Sequence, residues 1–204
     1  MTSYVMADDD DAKTLIRAHP WATLVSNGPH GLVAAHYPVL LDEDADGMVL
    51  LSHLGRRDAD RFGLGSYELM VIFHGPHGYV SPSWYGLPTA VPTWNFAVVH
   101  AYGVPRRLDA AENLRVLERL VDRFEDPLPN PFRLHVTEAN TAYAERIVGG
   151  TVGFSMPVRR FVGRDKMSQD KPAEVVDRVI AALLAPGPYR NPELADRVAG
   201  HRHR

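Results

Sequence analysis

Most of this chain reads as short strands joined by tight turns, and that succession limits its fold more than any single motif does. "WATLVS" and "LVAAHYPVLL" flank "NGPHG", the layout of a hairpin. "DEDADG" then turns the chain into "MVLLSHL". "YELMVIFHG" and "GYVSP" flank Gly75-Pro76-His77-Gly78, whose letters predict another tight turn. The longest run, "WNFAVVHAYGVPRRL", has the β-branched and aromatic content of a sheet strand, and "TVGFSMPVRRFVG" adds one more. Helices are expected at the edges. "AKTLIRAHP" follows an acidic cap at Asp8 to Asp11 and stops at Pro20, and "GRRDADRFG" fits a short helix. Asp109 and Glu112 form a capping box for "AAENLRVLERLVDRF", where Leu114, Leu117, Leu120, Val121 and Phe124 share one face. "LHVTEANTAYAERIV" and the final "PAEVVDRVIAALLA" complete the helical set. The order describes a mainly β, α+β chain: an antiparallel barrel with added helices.

At 204 residues and 45% hydrophobic content, the chain can bury one substantial core. It is expected to form a single domain over 1–204, with helical segments at about 109–148 and 171–185 packed on the barrel. It has no cysteine, which excludes thiol catalysis, disulfides and iron–sulfur ligation. A net charge of −3 does not supply the basic face of a nucleic-acid binder, so direct nucleic-acid binding is not expected, and the basic end "RVAGHRHR" reads as a solvated tail. No apolar run approaches membrane-spanning length and the start lacks a signal-peptide layout, so a cytoplasmic protein is expected. No strand leads into G-x-G-x-x-G, and no G-x-S-x-G occurs.

Four stretches could carry chemistry. In "VSPSWYGLPTAVPTWNF", Pro82-Ser83-Trp84 is echoed by Pro92-Thr93-Trp94. Prolines stiffen this connection while the aromatic rings and Ser83, Thr93 and Asn95 offer flat faces and hydrogen bonds. The segment suits a wall for a planar ligand as well as it suits a plug for a barrel end or subunit interface. In "LLSHLGRR", a strand delivers Ser52 and His53, followed by Arg56 and Arg57, a pairing suited to an anion. His74 and His77 form an H-x-x-H pair that fits surface positions better than a metal site. "KMSQDK" groups Lys166, Ser168 and Gln169.

"FHGPHGYVSPSWY", "VPTWNFAVVHAYG" and "KMSQDK" together resemble the PaiB-like family, the FMN-binding negative transcriptional regulators. The likeness extends from "ATLVS" and "HYPVLLD" through "SHLGRR" to Ser168-Gln169. It implies a split β-barrel of the FMN-binding and pyridoxamine-phosphate-oxidase type, a homodimer with cofactor between the subunits, and a small-molecule oxidoreductase. Carried over, Arg56 and Arg57 meet the FMN phosphate, and Ser52 and His53 the ring or chain beside it. Ser83, Trp84, Thr93, Trp94 and Asn95 approach from the loop, while Lys166, Ser168 and Gln169 close the site. The chain departs from the family pattern at Gly55-Arg56-Arg57-Asp58-Ala59, where Ala-Arg-Ala-Asn-Pro is usual. It departs again at His74 in place of a glutamine and Asp170 in place of an asparagine. Those exchanges bring in the family's haem b branch, the piperazate synthases that close N5-hydroxyornithine by an N–N bond. There His53 would be the axial ligand and His74 the next candidate, with the arginines facing propionates. A regulator without catalysis is the third expectation.

Overall fold

The computed structural model describes residues 4–6 and 8–201. Its contacts divide the chain into two compact units, one of residues 1–15, 74–99 and 162–204, the other of 16–73 and 100–161. Two sheets carry the described strands, one of five strands and one of four.

The second unit holds β1 (Trp21–Gly28), β2 (Gly31–Pro38), β3 (Leu40–Leu41), β4 (Val49–Gly55), α2 (Arg56–Arg61), β7 (Arg106–Arg107), α3 (Ala110–Glu125), α4 (Glu138–Ile147) and β8 (Thr151–Pro157). The expected hairpin is present: β1 and β2 pair antiparallel from Trp21↔Pro38 to Gly28↔Gly31. Gly31 turns with φ 103, a conformation open to glycine at no steric cost. β4 pairs with β8, setting Ser52 opposite Phe154 and His53 opposite Gly153. Leu24, Leu50, Leu54, Val71, Phe73, Phe154 and Met156 are sealed in this core. Each such side chain contributes about 1.5–3 kcal/mol through burial.

α3 starts where its capping box predicts. Asp109 accepts from the Glu112 amide at 2.8 Å, and Glu112 accepts from the Asp109 amide at 3.0 Å. A hydrogen bond from Arg106, ahead of that amide, holds the Glu112 carboxyl down at about 2. The face that α3 sinks into the core is Asn113, Val116 and Leu120, and the predicted apolar stripe overlaps it only at Leu120. Gly153 makes room, since a Cβ there would lie 2.5 Å from Asn113 Oδ1.

The first unit holds most of α1 (Asp9–Ala18), the later part of β5 (Leu69–Val80), the start of β6 (Thr93–Gly103), most of β9 (Arg160–Lys166), α5 (Ala173–Leu184) and α6 (Pro192–Gly200). Here two expectations are corrected. Gly75-Pro76-His77-Gly78 is not a turn but the interior of one continuous strand, β5. Neither glycine has a positive φ; both are needed for close approach. A Cβ on Gly75 would sit 2.8 Å from Leu15 of α1, and one on Gly78 2.9 Å from Leu194 of α6. Likewise "RVAGHRHR" is not simply a solvated tail. Its beginning belongs to α6, whose Leu194, Ala195 and Val198 are buried, while 202–204 lie outside the described residues. "TVGFSMPVRRFVG" also divides, into β8 and β9.

Candidate functional site

Each unit has a concavity of its own, and the residues singled out from sequence are distributed between them. In the first unit, a cavity of about 430 Å³ is lined by Tyr4, Tyr85, Thr93, Asn95, Lys166 and Ser168 among others. β6 supplies Thr93 and Asn95 from alternate positions, hence from one face of the strand. β9 ends at Lys166, whose Nζ donates to Thr93 Oγ1 at 2.5 Å and stands 5.8 Å from the centroid of the Tyr4 ring. Among the described residues, no carboxylate pairs with this ammonium. Asn95 is fully buried and its Nδ2 donates to Ser168 Oγ at 2.9 Å. Ser168, with φ 61, is the one described non-glycine residue in the left-handed region. Such a conformation costs on the order of 1–2 kcal/mol and persists only where the surroundings fix it. Gln169 does part of that fixing. Its Oε1 accepts from the Met167 amide at 2.6 Å and its Nε2 donates to the Asp165 carbonyl at 2.6 Å, so the amide is engaged within its own loop.

Tyr85 is 2% exposed and its hydroxyl is buried with no hydrogen-bond partner among the described residues. Burial raises its pKa, so the phenol remains a donor at neutral pH. Tyr4 carries no signal in the sequence, whereas Tyr85 is one of the flat faces of the loop that suits a wall for a planar ligand. The signal available for Tyr85 was its position inside the Pro-Ser-Trp-Tyr motif.

The doubled tryptophan motif adopts two different conformations. Its first copy is a 3₁₀ turn, Pro82–Trp84, capped by Ser81, whose Oγ accepts from the Ser83 amide at 3.3 Å. Its second copy opens β6. Neither indole lines the cavity. Trp94, on the face of β6 opposite Thr93 and Asn95, meets Tyr79 edge-on at 6.3 Å, and Trp84 meets Tyr189 at 6.1 Å. Tyr79 and Tyr189 lie 5.4 Å apart, which completes a row of four rings with Trp94 56% exposed. His74 is exposed on β5 and lines no concavity described here. His77, three residues along the same strand, is turned to the other face, and its Nδ1 lies 3.0 Å from the Gly75 carbonyl. The pair does not converge on a metal.

In the second unit, a groove of about 350 Å³ runs between His53 and the apolar side of α3. Leu117, Leu120, Val121 and Phe124 wall it, with Phe132 and Ile147 beyond. The predicted stripe of α3 thus faces this groove more than the core. His53 is half-buried, and its Nδ1 is sealed in with no hydrogen-bond partner among the described residues. Burial lowers its pKa, so the imidazole is neutral at pH 7. Ser52 is fully buried and donates to the Pro38 carbonyl at 2.6 Å, a bond that ties β4 to the end of β2. Arg56 donates through Nε and Nη2 to the Gly149 carbonyl, at 3.0 and 2.5 Å. Arg57 is exposed and has no partner among the described residues. Tyr37 fixes the start of α2: its hydroxyl donates to Asp58 at 2.7 Å and accepts from the Gly55 amide at 3.1 Å. Among the described residues, no group of three or more metal-ligating side chains occurs, and no helix is long and apolar enough to cross a membrane.

A stiff polar cavity with aromatic walls, on antiparallel sheets flanked by helices, is a cofactor-binding arrangement. The profile described as "Putative FMN-binding domain" matches residues 1–160, and the chain belongs to that family. "Protease synthase and sporulation protein PAI 2" of Bacillus subtilis is 25% identical over 169 residues, covering 82% of this chain and 80% of that protein. Among solved structures, the FAD and haem binding protein from Mycobacterium smegmatis superposes with a TM-score of 0.57 at 14% identity, over 88% of this chain and 80% of that one. The flavocytochrome Anf3 from Azotobacter vinelandii gives 0.56 at 15% identity, over 80% and 69%. The chain is thus a member of the putative FMN-binding domain family with a split-barrel fold, and it is similar to the PaiB protein PAI 2, as the sequence motifs imply.

Proposed function

We propose that the chain binds FMN, with the isoalloxazine ring in the first unit's cavity, and serves as a small-molecule oxidoreductase. The observation that carries this reading is the lining itself: an unpaired ammonium, a buried amide and two hydroxyls between tyrosine rings. A flavin presents two flat faces and a polar pyrimidine edge, and these groups match both. When bound, FMN supplies hydride and electron transfer, and the protein supplies position and electrostatics. Lys166 would hold the polar edge beside a Ser168 that Asn95 fixes in place, and its positive charge would favour a ring that gains electrons. Tyr4 and Tyr85, which line the cavity, would exclude water from the bound ring. The family likeness adds a homodimer with the cofactor between copies, an arrangement in which Arg57, unpaired, is the guanidinium available for phosphate. The test is a fluorescence titration with FMN of wild type and Lys166→Met. Saturable binding that the substitution weakens supports the reading, and absence of binding to the wild type overturns it.

A second reading rests on His53. A neutral imidazole over an apolar groove suits the axial position and hydrophobic face of haem b, and two structural neighbours are named as a haem binding protein and a flavocytochrome. This reading would make the chain a haem-dependent N–N bond-forming cyclase. One feature runs against it: metal-bound histidines almost always donate their second N–H to an acceptor, and Nδ1 of His53 has none among the described residues. Haemin titration of wild type and His53→Leu decides. A Soret shift present only in the wild type supports haem, and identical spectra remove it.

A further inference from the structure

Asp165 is the one charged side chain in the buried set among the described residues, 2% exposed. Every polar position on it is engaged. Arg197 of α6 donates Nε to Oδ1 at 3.0 Å and Nη2 to Oδ2 at 2.6 Å, and His201, just past the helix, places Nε2 2.7 Å from Oδ2. The Asp165 amide donates to the Tyr4 carbonyl at 2.8 Å, and its own carbonyl accepts from Gln169. A residue held at side chain, amide and carbonyl cannot rotate. Strand alternation then sends the next side chain, Lys166, to the opposite face, where it meets Thr93 and Tyr4. Met167 is buried, Gln169 clamps the turn, and Ser168 is delivered to Asn95 in its left-handed conformation.

We propose that α6 is a lock on the cavity: Arg197 and His201 are positioning residues that act through Asp165 to set the direction of Lys166 and the place of Ser168. Both lie beyond residue 160, where the family match ends. The proposal builds on the reading of the cavity as the flavin site. A bidentate guanidinium and an imidazole on one sealed carboxylate form a directional set of charge-assisted hydrogen bonds, which fixes orientation as well as charge. A helix needed only to cover apolar surface would be served by its leucine and valine side chains alone.

The experiment compares Arg197→Met with Leu194→Ala in the full chain. Leu194 is fully buried in the same helix and packs at Gly78, so its trimming removes apolar packing of α6 and leaves the Arg197 and His201 bonds to Asp165 in place. Arg197→Met is expected to reduce FMN affinity by about tenfold and to speed amide hydrogen exchange across residues 165–170. Leu194→Ala is expected to leave both nearly unchanged, and Arg197→Lys to restore part of the affinity. Equal losses in the two variants, or full affinity in Arg197→Met, would overturn the lock. If Arg197→Met does not fold, His201→Ala, which removes one bond of the set, takes its place with the same expected direction. Should the wild type bind no FMN, the exchange data decide alone. Faster exchange confined to Arg197→Met would keep the lock while the flavin reading falls, and unchanged exchange would overturn the lock as well.

Discussion

The cavity beside Lys166 is built around a hydrogen-bonded polar set, whereas the groove beside His53 is walled mostly by apolar side chains. In the cavity, Asn95, Ser168, Thr93 and Lys166 hold one another by hydrogen bonds before any ligand arrives. In the groove, leucines, a valine and phenylalanines dominate, with Glu125 and the His53 imidazole as the polar members, and Nδ1 of that imidazole has no hydrogen-bond partner among the described residues. A polar site has to be satisfied when empty, because an orphaned buried group costs on the order of 1–3 kcal/mol, and the resulting network is stiff. An apolar site can stay open at the smaller cost of hydrated hydrocarbon. The first arrangement selects a ligand by the pattern of its edges, the second by the extent of its flat face.

The largest expected effect tests that division directly. Lys166→Met should lower FMN affinity by about a hundredfold while His53→Leu changes it by less than about twofold; equal effects in fluorescence titrations would collapse the distinction. Stability gives the next contrast. Asn95→Leu leaves the Ser168 hydroxyl buried without its partner and should cost about 2 kcal/mol in urea melts. Phe124→Ser, on a ring already 48% exposed at the groove, should cost no more than about 0.5 kcal/mol. A Phe124 loss as large as that at Asn95 would mean the groove is core.

The smallest effect is in pH. Burial alone would raise the Asp165 carboxyl, but the hydrogen bonds from His201 and Arg197 outweigh it and the pKa falls below its ordinary value. The unfolded chain therefore takes up this proton first, near pH 4, and the stability present above that value is lost as pH falls through the folded one. His53, lowered by burial, behaves likewise from about pH 6.5 downward, since the unfolded chain protonates first there too. Asp165→Asn should flatten the stability curve below about pH 4, and His53→Leu should flatten it just below about pH 6.5. Denaturant midpoints across pH that keep the wild-type slope in both variants would refute the assignment.

How much was legible in the letters follows from how local each signal is. The hairpin at "NGPHG" and the box at Asp109 and Glu112 were readable because each is completed within a few residues. The stripe on α3 was readable as periodicity, but periodicity does not say whether a face meets core or opens to a groove. "GPHG" misled because a glycine that turns the chain and a glycine that admits a neighbour are written identically. Thr93, Asn95, Lys166 and Ser168 were singled out by family motif and do converge on one cavity, whereas Trp84 and Trp94 from the same motif form a surface row. Arg197 and His201 carried no signal, since the carboxylate they hold is some thirty residues away in the chain.

The two notches in β5 reach beyond packing. Gly75 seats Leu15 and Gly78 seats Leu194, so each glycine and its leucine occupy one shared volume. A relative that carries alanine at either strand position presses on the end of the facing leucine, which a rotamer shift or a smaller facing residue relieves. Paired exchanges of that kind, read across many sequences, would report helix docking rather than chemistry, and they would do so at the stretch whose letters look most like a functional motif.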